Sequence, residues 1–247
     1  MMKQGSCIIY PIALARQTIQ ELQRWEGVYG DRCYTYVYSW LIKGPETWVL
    51  VDVPGDAETM TKGSVKGARW EQVKTLGSTL EELGARIVDI KTVIVTHMHI
   101  DHAYGLEQFA KSKIIVQQRE IDWLSSGSPF AGFFKKGGLD RLSYTTVSGE
   151  YRVTPEIRVV PAPGHTPGGQ AVLVETKVGT VAIAGFCSLL DNFYPWSMLT
   201  LEKETPPIGQ SVDIEEARQS IKKLKEMADL IIPLHDSCFA KVKHIPT

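Results

Sequence analysis

Cysteine is scarce and scattered. Cys7, Cys33, Cys187 and Cys238 are the four in 247 residues, and no two form a CxxC pair. That spacing excludes a disulfide framework and a zinc-finger module. Excess charge is also missing: 27 basic against 28 acidic residues leave a formal charge of −1. Nothing in that balance favours nucleic acid as a partner. No apolar run is long enough to span a bilayer, so no membrane segment is expected. The stretch from Met1 to Ile9 has no long apolar signal core and no clear cleavage site. A cytoplasmic protein is the expectation. No short-period repeat or low-complexity linker divides the chain. Its composition is ordinary for a soluble globular protein, so residues 1–247 read as a single domain with a sizeable core.

What is present is an alternation of short apolar runs and helical stretches. Tyr34 to Ile42 and Trp48 to Asp52 read as strands, the second broken by Pro54-Gly55. Gly55 to Gly67 is polar and reads as a loop. Trp70, Val73, Leu76, Leu80 and Leu83 recur at three- and four-residue steps, which predicts a helix, with Gly84 at its C-cap. Thr92 to Thr96 and Ile114 to Val116 read as strands, and Glu120 to Leu124 as a short helix. Ser125 to Gly138, rich in Gly and Phe, reads as a mobile loop. Three β runs follow between Tyr151 and Ala184. Asp213 and Glu216 form a capping-box pattern ahead of Ile214, Ala217, Ile221, Leu224 and Ala228, which share one helical face. Leu230 to Pro233 is the last strand. Strands then a helix, given twice, predict two similar halves packed sheet on sheet with helices outside.

Five of the six histidines fall directly after apolar strands: His97, His99 and His102 in HMHIDH, His165 in PGHTPG, and His235 in LHD. Loops at strand ends are where a rigid sheet can hold ligands around a shared cleft. In an extended loop, residues two apart point the same way, so His97 and His99 can grip one metal, with His165 completing that site. Asp101 and His102 are adjacent and tend to diverge, so they can reach a second metal or act as base and ligand. As base, Asp101 orients a hydroxide or passes a proton to the leaving group. Imidazole and carboxylate donors suit zinc, at one or two ions per chain. His235 joins the set on order and context. Asp52, at a strand end, is expected to support a ligand.

At these residues the chain resembles the metallo-β-lactamase superfamily. The likeness extends from Asp52-Val53-Pro54-Gly55, a variant of the family's Asp-Thr-Gly turn, through His97 to His102 and Ala162 to Gly169, to Pro233-Leu234-His235-Asp236. It implies an α/β fold, the αββα sandwich of two mixed sheets flanked by helices, with metals at one edge. Length, the terminal His-Asp and the stretch Gly149 to Ile157 are most similar to acyl-homoserine-lactone lactonases. The resemblance implies a metal-dependent hydrolase that cleaves an ester-type bond, a lactone before others, by attack of a metal-bound hydroxide on the carbonyl. A glyoxalase II-like thioesterase or a β-lactamase is the alternative enzyme.

One place departs from the family pattern. Where many members carry a metal-bridging aspartate after a glycine, this chain reads Ala184-Gly185-Phe186-Cys187-Ser188. Phe186 cannot bind a metal. Cys187 as a thiolate ligand, Asp191 swinging in, or tight binding of one metal only are the three readings; Cys187 as an inert buried thiol stands beside them. A degenerate member that binds metal or small molecule without turnover is the non-enzyme alternative. The tyrosine that lactonases place just beyond is replaced by Leu189, with Tyr194 nearby. Phe130, Phe133 and Phe134, together with Tyr194, are candidates to wall a pocket for the acyl part of a small carbonyl substrate. The same aromatic clusters equally suit packing on the body or a homodimer contact.

Overall fold

Two β-sheets lie face to face in the computed structural model, which describes residues 6–18, 34–63, 69–186, 188–194 and 211–246. The first sheet contains β1 (Ile8–Thr18), β2 (Tyr34–Lys43), β3 (Trp48–Val51), β4 (Glu71–Gln72), β5 (Thr92–Ile94), β6 (Lys113–Gln117) and β7 (Tyr144–Val147). Their order is β4-β1-β2-β3-β5-β6-β7. The second contains β8 (Tyr151–Arg152), β9 (Ile157–Pro161), β10 (Gln170–Thr176), β11 (Gly179–Ile183) and β12 (Leu230–Ile232), in the order β12-β11-β10-β9-β8. Both sheets are mixed: β3, β5, β6 and β7 pair in parallel, as do β11 and β12, whereas β1–β2 and β9–β10 are antiparallel. The helices are α1 (Ala57–Gly63), α2 (Leu76–Glu82), α3 (Ile100–Ala103), α4 (Gln118–Ser125), α5 (Ala131–Lys136), α6 (Leu190–Phe193) and α7 (Ile214–Met227).

The period of two along each strand sorts side chains into layers. Val51, Ile94, Ile115, Val172, Val181 and Ile183 point between the sheets, around Tyr38 and Trp40. Their neighbours Leu50, Val93, Ile114 and Val116 face α2, α4 and the aromatic rings next to α5. On the far side Ala171, Leu173, Ala182 and Ala184 meet Ala217, Ile221 and Leu224 of α7. Each fully buried aliphatic side chain contributes about 1.5–3 kcal/mol, so three stacked layers outweigh any single helix in holding the fold. The result is the expected αββα sandwich, with unequal sheets in place of two similar halves.

Four local expectations change. Trp70 and Val73 lie outside α2, because Glu71 and Gln72 pair with Arg16 and Ala15 of β1. Gly84 does follow that helix with φ +82°, as a C-terminal glycine should. The segment after Gly55 holds α1, started by Asp56, whose carboxylate accepts from the Thr59 N–H at 2.7 Å. The stretch after Ser125 holds α5, with Phe130 and Phe134 packed on the core. β1 itself is a long strand where none was read, and it contains Pro11. Among the described residues Pro11 pairs only with Trp40 of β2; β4 joins the other edge of β1 lower down, at Ala15 and Arg16. An edge position tolerates a residue with no N–H.

Candidate metal centre

Asp52 follows β3, His97 follows β5, and His165 and His235 follow β9 and β12. These strand ends converge at one edge of the sandwich. Gln170 of β10 seals the seam there: its backbone N–H donates to Thr96 O at 2.9 Å, and its amide donates to Val95 O at 2.8 Å.

The five histidines form one buried cluster, none more than 8% exposed. The His97 ring lies 4.6 Å from His99, 4.2 Å from His102 and 4.8 Å from His165, centroid to centroid. Donor atoms fall into two groups, His97, His99 and His165 in one and Asp101, His102 and His235 in the other, each within 4.8 Å. In the first, His165 Nε2 and His99 Nδ1 are 3.1 Å apart. In the second, His102 Nε2 and His235 Nε2 are 3.2 Å apart.

The supporting bonds fix the tautomers. His102 donates from Nδ1 to Asp52 Oδ2 at 2.8 Å, and His235 donates from Nδ1 to the Tyr36 carbonyl at 2.8 Å. With both rings neutral, the two Nε2 atoms present lone pairs to each other, an arrangement with no hydrogen bond in it. His97 Nε2 is buried without a hydrogen-bond partner among the described residues. Opposed lone pairs and an orphaned buried nitrogen are what a cation would satisfy, so the residues fit a metal.

Electrostatics agree. Burial, with neighbouring histidines, holds His97 and His165 well below the ordinary imidazole range, and burial brings His99 down to about 4 against the pull of Asp101. All three are neutral near pH 7, the form that binds metal. Desolvation would raise the Asp101 carboxyl, but His102, His235 and His99 outweigh it and bring it to about 2. Asp101 is thus an anion, 3.6 Å from His102 Nε2 and 3.7 Å from His235 Nε2.

Asp52 anchors the whole edge. It is fully buried, with φ +60°, a conformation that Asp tolerates better than most side chains. Its carboxylate also accepts from the Thr96 N–H at 2.7 Å and the Thr96 hydroxyl at 2.8 Å. The turn after it holds α3: Val53 N–H donates to His102 O at 2.7 Å.

The remaining candidates separate. The Phe130 ring lies 4.2 Å from that of His99, tilted by 39°, and a small pocket beside His99 is lined by Phe130, Phe133 and Phe134 with Ile100 and Tyr104. Tyr194 is not brought there: it is half exposed, with Lys225 of the last turn of α7 over its ring at 5.7 Å. Asp191 is exposed on α6 and belongs to neither group of clustered donors. Phe186 is fully buried and stacks on Phe193 at 5.7 Å, within the layer under α7. Cys187 lies outside the described residues. Two contributors had not been read from the sequence. Trp123 stands 6.0 Å from His99. Glu120, fully buried on α4, bonds to the His97–His99 loop and to the His165 loop. Its signal was there: Glu120 shares a helical face with buried Leu124, four residues on.

Residues 34–233 match the family model described as the metallo-beta-lactamase superfamily. The chain belongs to that superfamily. An N-acyl homoserine lactonase from Bacillus sp is 32% identical over 202 residues, 77% of this chain and 76% of that protein. Metallo-beta-lactamase domain-containing protein 1 of Xenopus laevis is also 32% identical, over 83% of this chain and 72% of that one. Among solved structures, an N-acyl homoserine lactone hydrolase with N-hexanoyl-L-homoserine at its catalytic metal centre superposes with a TM-score of 0.71 at 26% identity, covering 96% of this chain and 94% of that one. Family, fold and the paired groups of potential metal donors together support a metal-dependent hydrolase.

Proposed function

We propose that this hydrolase opens a lactone ring, of the N-acyl homoserine kind, with two zinc ions. The observation that carries the reading is the pair of three-donor groups meeting at one buried edge, together with lactonase relatives at about a third identity. His97, His99 and His165 would hold one ion, and Asp101, His102 and His235 the other. Five imidazoles and one carboxylate make a nitrogen-rich set that suits zinc over magnesium or calcium. When bound, the ions would supply Lewis-acid polarisation of the carbonyl and an acidified water.

The chain's own groups do the rest. Asp101, ionised and 22% exposed, is the one carboxylate of the six donors that meets solvent. It orients a water, takes its proton and passes it to the departing ring oxygen. Asp52 and the Tyr36 carbonyl keep His102 and His235 in the tautomer that faces inward. Phe130, Phe133 and Phe134 supply an apolar wall for the acyl chain and exclude water from the His99 side.

Turnover of an N-acyl homoserine lactone, a glutathione thioester and a β-lactam by zinc-loaded protein tests this. Lactone hydrolysis well ahead of the other two is expected. Thioester or β-lactam turnover in its place overturns the lactone assignment. Phe186 favours a second reading, a binding protein without turnover, because no carboxylate stands where many relatives bridge their metals; bound zinc with no hydrolysis of any of the three would select it.

A further inference from the structure

Glu120 is an expensive residue for its place. It is fully buried, burial raises its carboxyl above the ordinary value, and among the described residues no cation pairs with it. It sits in the first turn of α4, yet its oxygens do not cap that helix. Oε1 accepts from the Met98 N–H at 2.8 Å, and Oε2 accepts from the Gly168 N–H at 2.9 Å. Met98 lies between His97 and His99; Gly168 is three residues after His165. The approach is close enough that a Cβ on Gly168 would stand 2.1 Å from Glu120 N. An apolar side chain would serve α4 at lower cost. What Glu120 adds is a single rigid link between the two loops that bring the three histidines together.

We infer that Glu120 is a positioning residue: its carboxylate clamps the His97–His99 loop to the His165 loop and holds their three imidazoles at metal-binding spacing before any ion arrives. The inference rests on the reading of those histidines as ligands. Glutamine at this position keeps the shape but has one acceptor oxygen, so its NH₂ group must face one of the two backbone N–H donors.

The test is Glu120→Gln, with amide hydrogen exchange and zinc titration followed by the imidazole nitrogen NMR signals of His165 and His235. The Met98 and Gly168 amides should exchange faster than in the parent. Zinc affinity reported by His165 should fall by about 10–100-fold, while that reported by His235 holds. Equal affinity at His165, or unchanged exchange at both amides, overturns the clamp. Should the variant fail to fold, the metal-free parent decides. Protection of both amides without zinc upholds the proposal, and protection that appears only on adding zinc contradicts it. A parent that binds no zinc refutes the metal reading, and amide exchange in the variant still judges the clamp.

Discussion

The two donor groups are built by different means. His102 and His235 are each oriented by a bond from the ring itself, to Asp52 and to the Tyr36 carbonyl. The first group has weaker side-chain support. His97 Nδ1 meets the Thr96 hydroxyl at 3.1 Å, and His165 Nδ1 has no hydrogen-bond partner among the described residues. Its geometry comes through the backbone, from loops tied to Glu120. The first group is neutral, whereas the second holds the Asp101 anion. One group is therefore set by charge and tautomer, and the other by loop placement.

Substitutions can break or sharpen that contrast. Asp101→Ala removes the charge of the second group and the proposed proton carrier. Lactone kcat/KM should fall on the order of 10²–10⁴-fold, with zinc at His97, His99 and His165 retained; loss of both ions equally would erase the distinction. Phe186→Ala probes the place where the family pattern implies a bridging aspartate. Its ring belongs to the layer under α7, so urea denaturation should report a loss of about 3–5 kcal/mol and mass spectrometry an unchanged zinc count. A changed count would move Phe186 into the site.

Asp52→Asn keeps size and tolerates the positive φ, but weakens the bond that orients His102. Affinity for the second zinc should drop about 10–100-fold, more than for the first. An equal drop would mean that Thr96, bonded to the same carboxylate, transmits as much as His102. Phe130→Ala should raise the lactone KM about tenfold, the size of one lost apolar contact of ~1.4 kcal/mol, and leave kcat unchanged. A fall in kcat instead would show that the ring fixes His99.

Much of the site was legible because metal ligation needs particular side chains at particular spacings. HMHIDH, the PGHTPG turn and the terminal His-Asp all arrive at one edge. The sandwich was legible from strand periodicity, although β1 hid behind Pro11 and its near-continuous apolar run. α2 came out shorter than its pattern because pairing of Glu71 and Gln72 with β1 overrode helical propensity. Phe186 was legible as a residue that cannot bind metal, but only packing reveals that its ring turns toward Phe193. The burial of Glu120 was legible in its four-residue spacing to Leu124, but its partners, backbone N–H groups on two distant loops, were not.

Zinc bound per chain, counted by mass spectrometry after saturation and removal of loose metal, tests the central claim most directly. Two ions per chain are predicted, one for each three-donor group. A count of one would contradict the paired site, and a count of zero would remove the hydrolytic reading altogether.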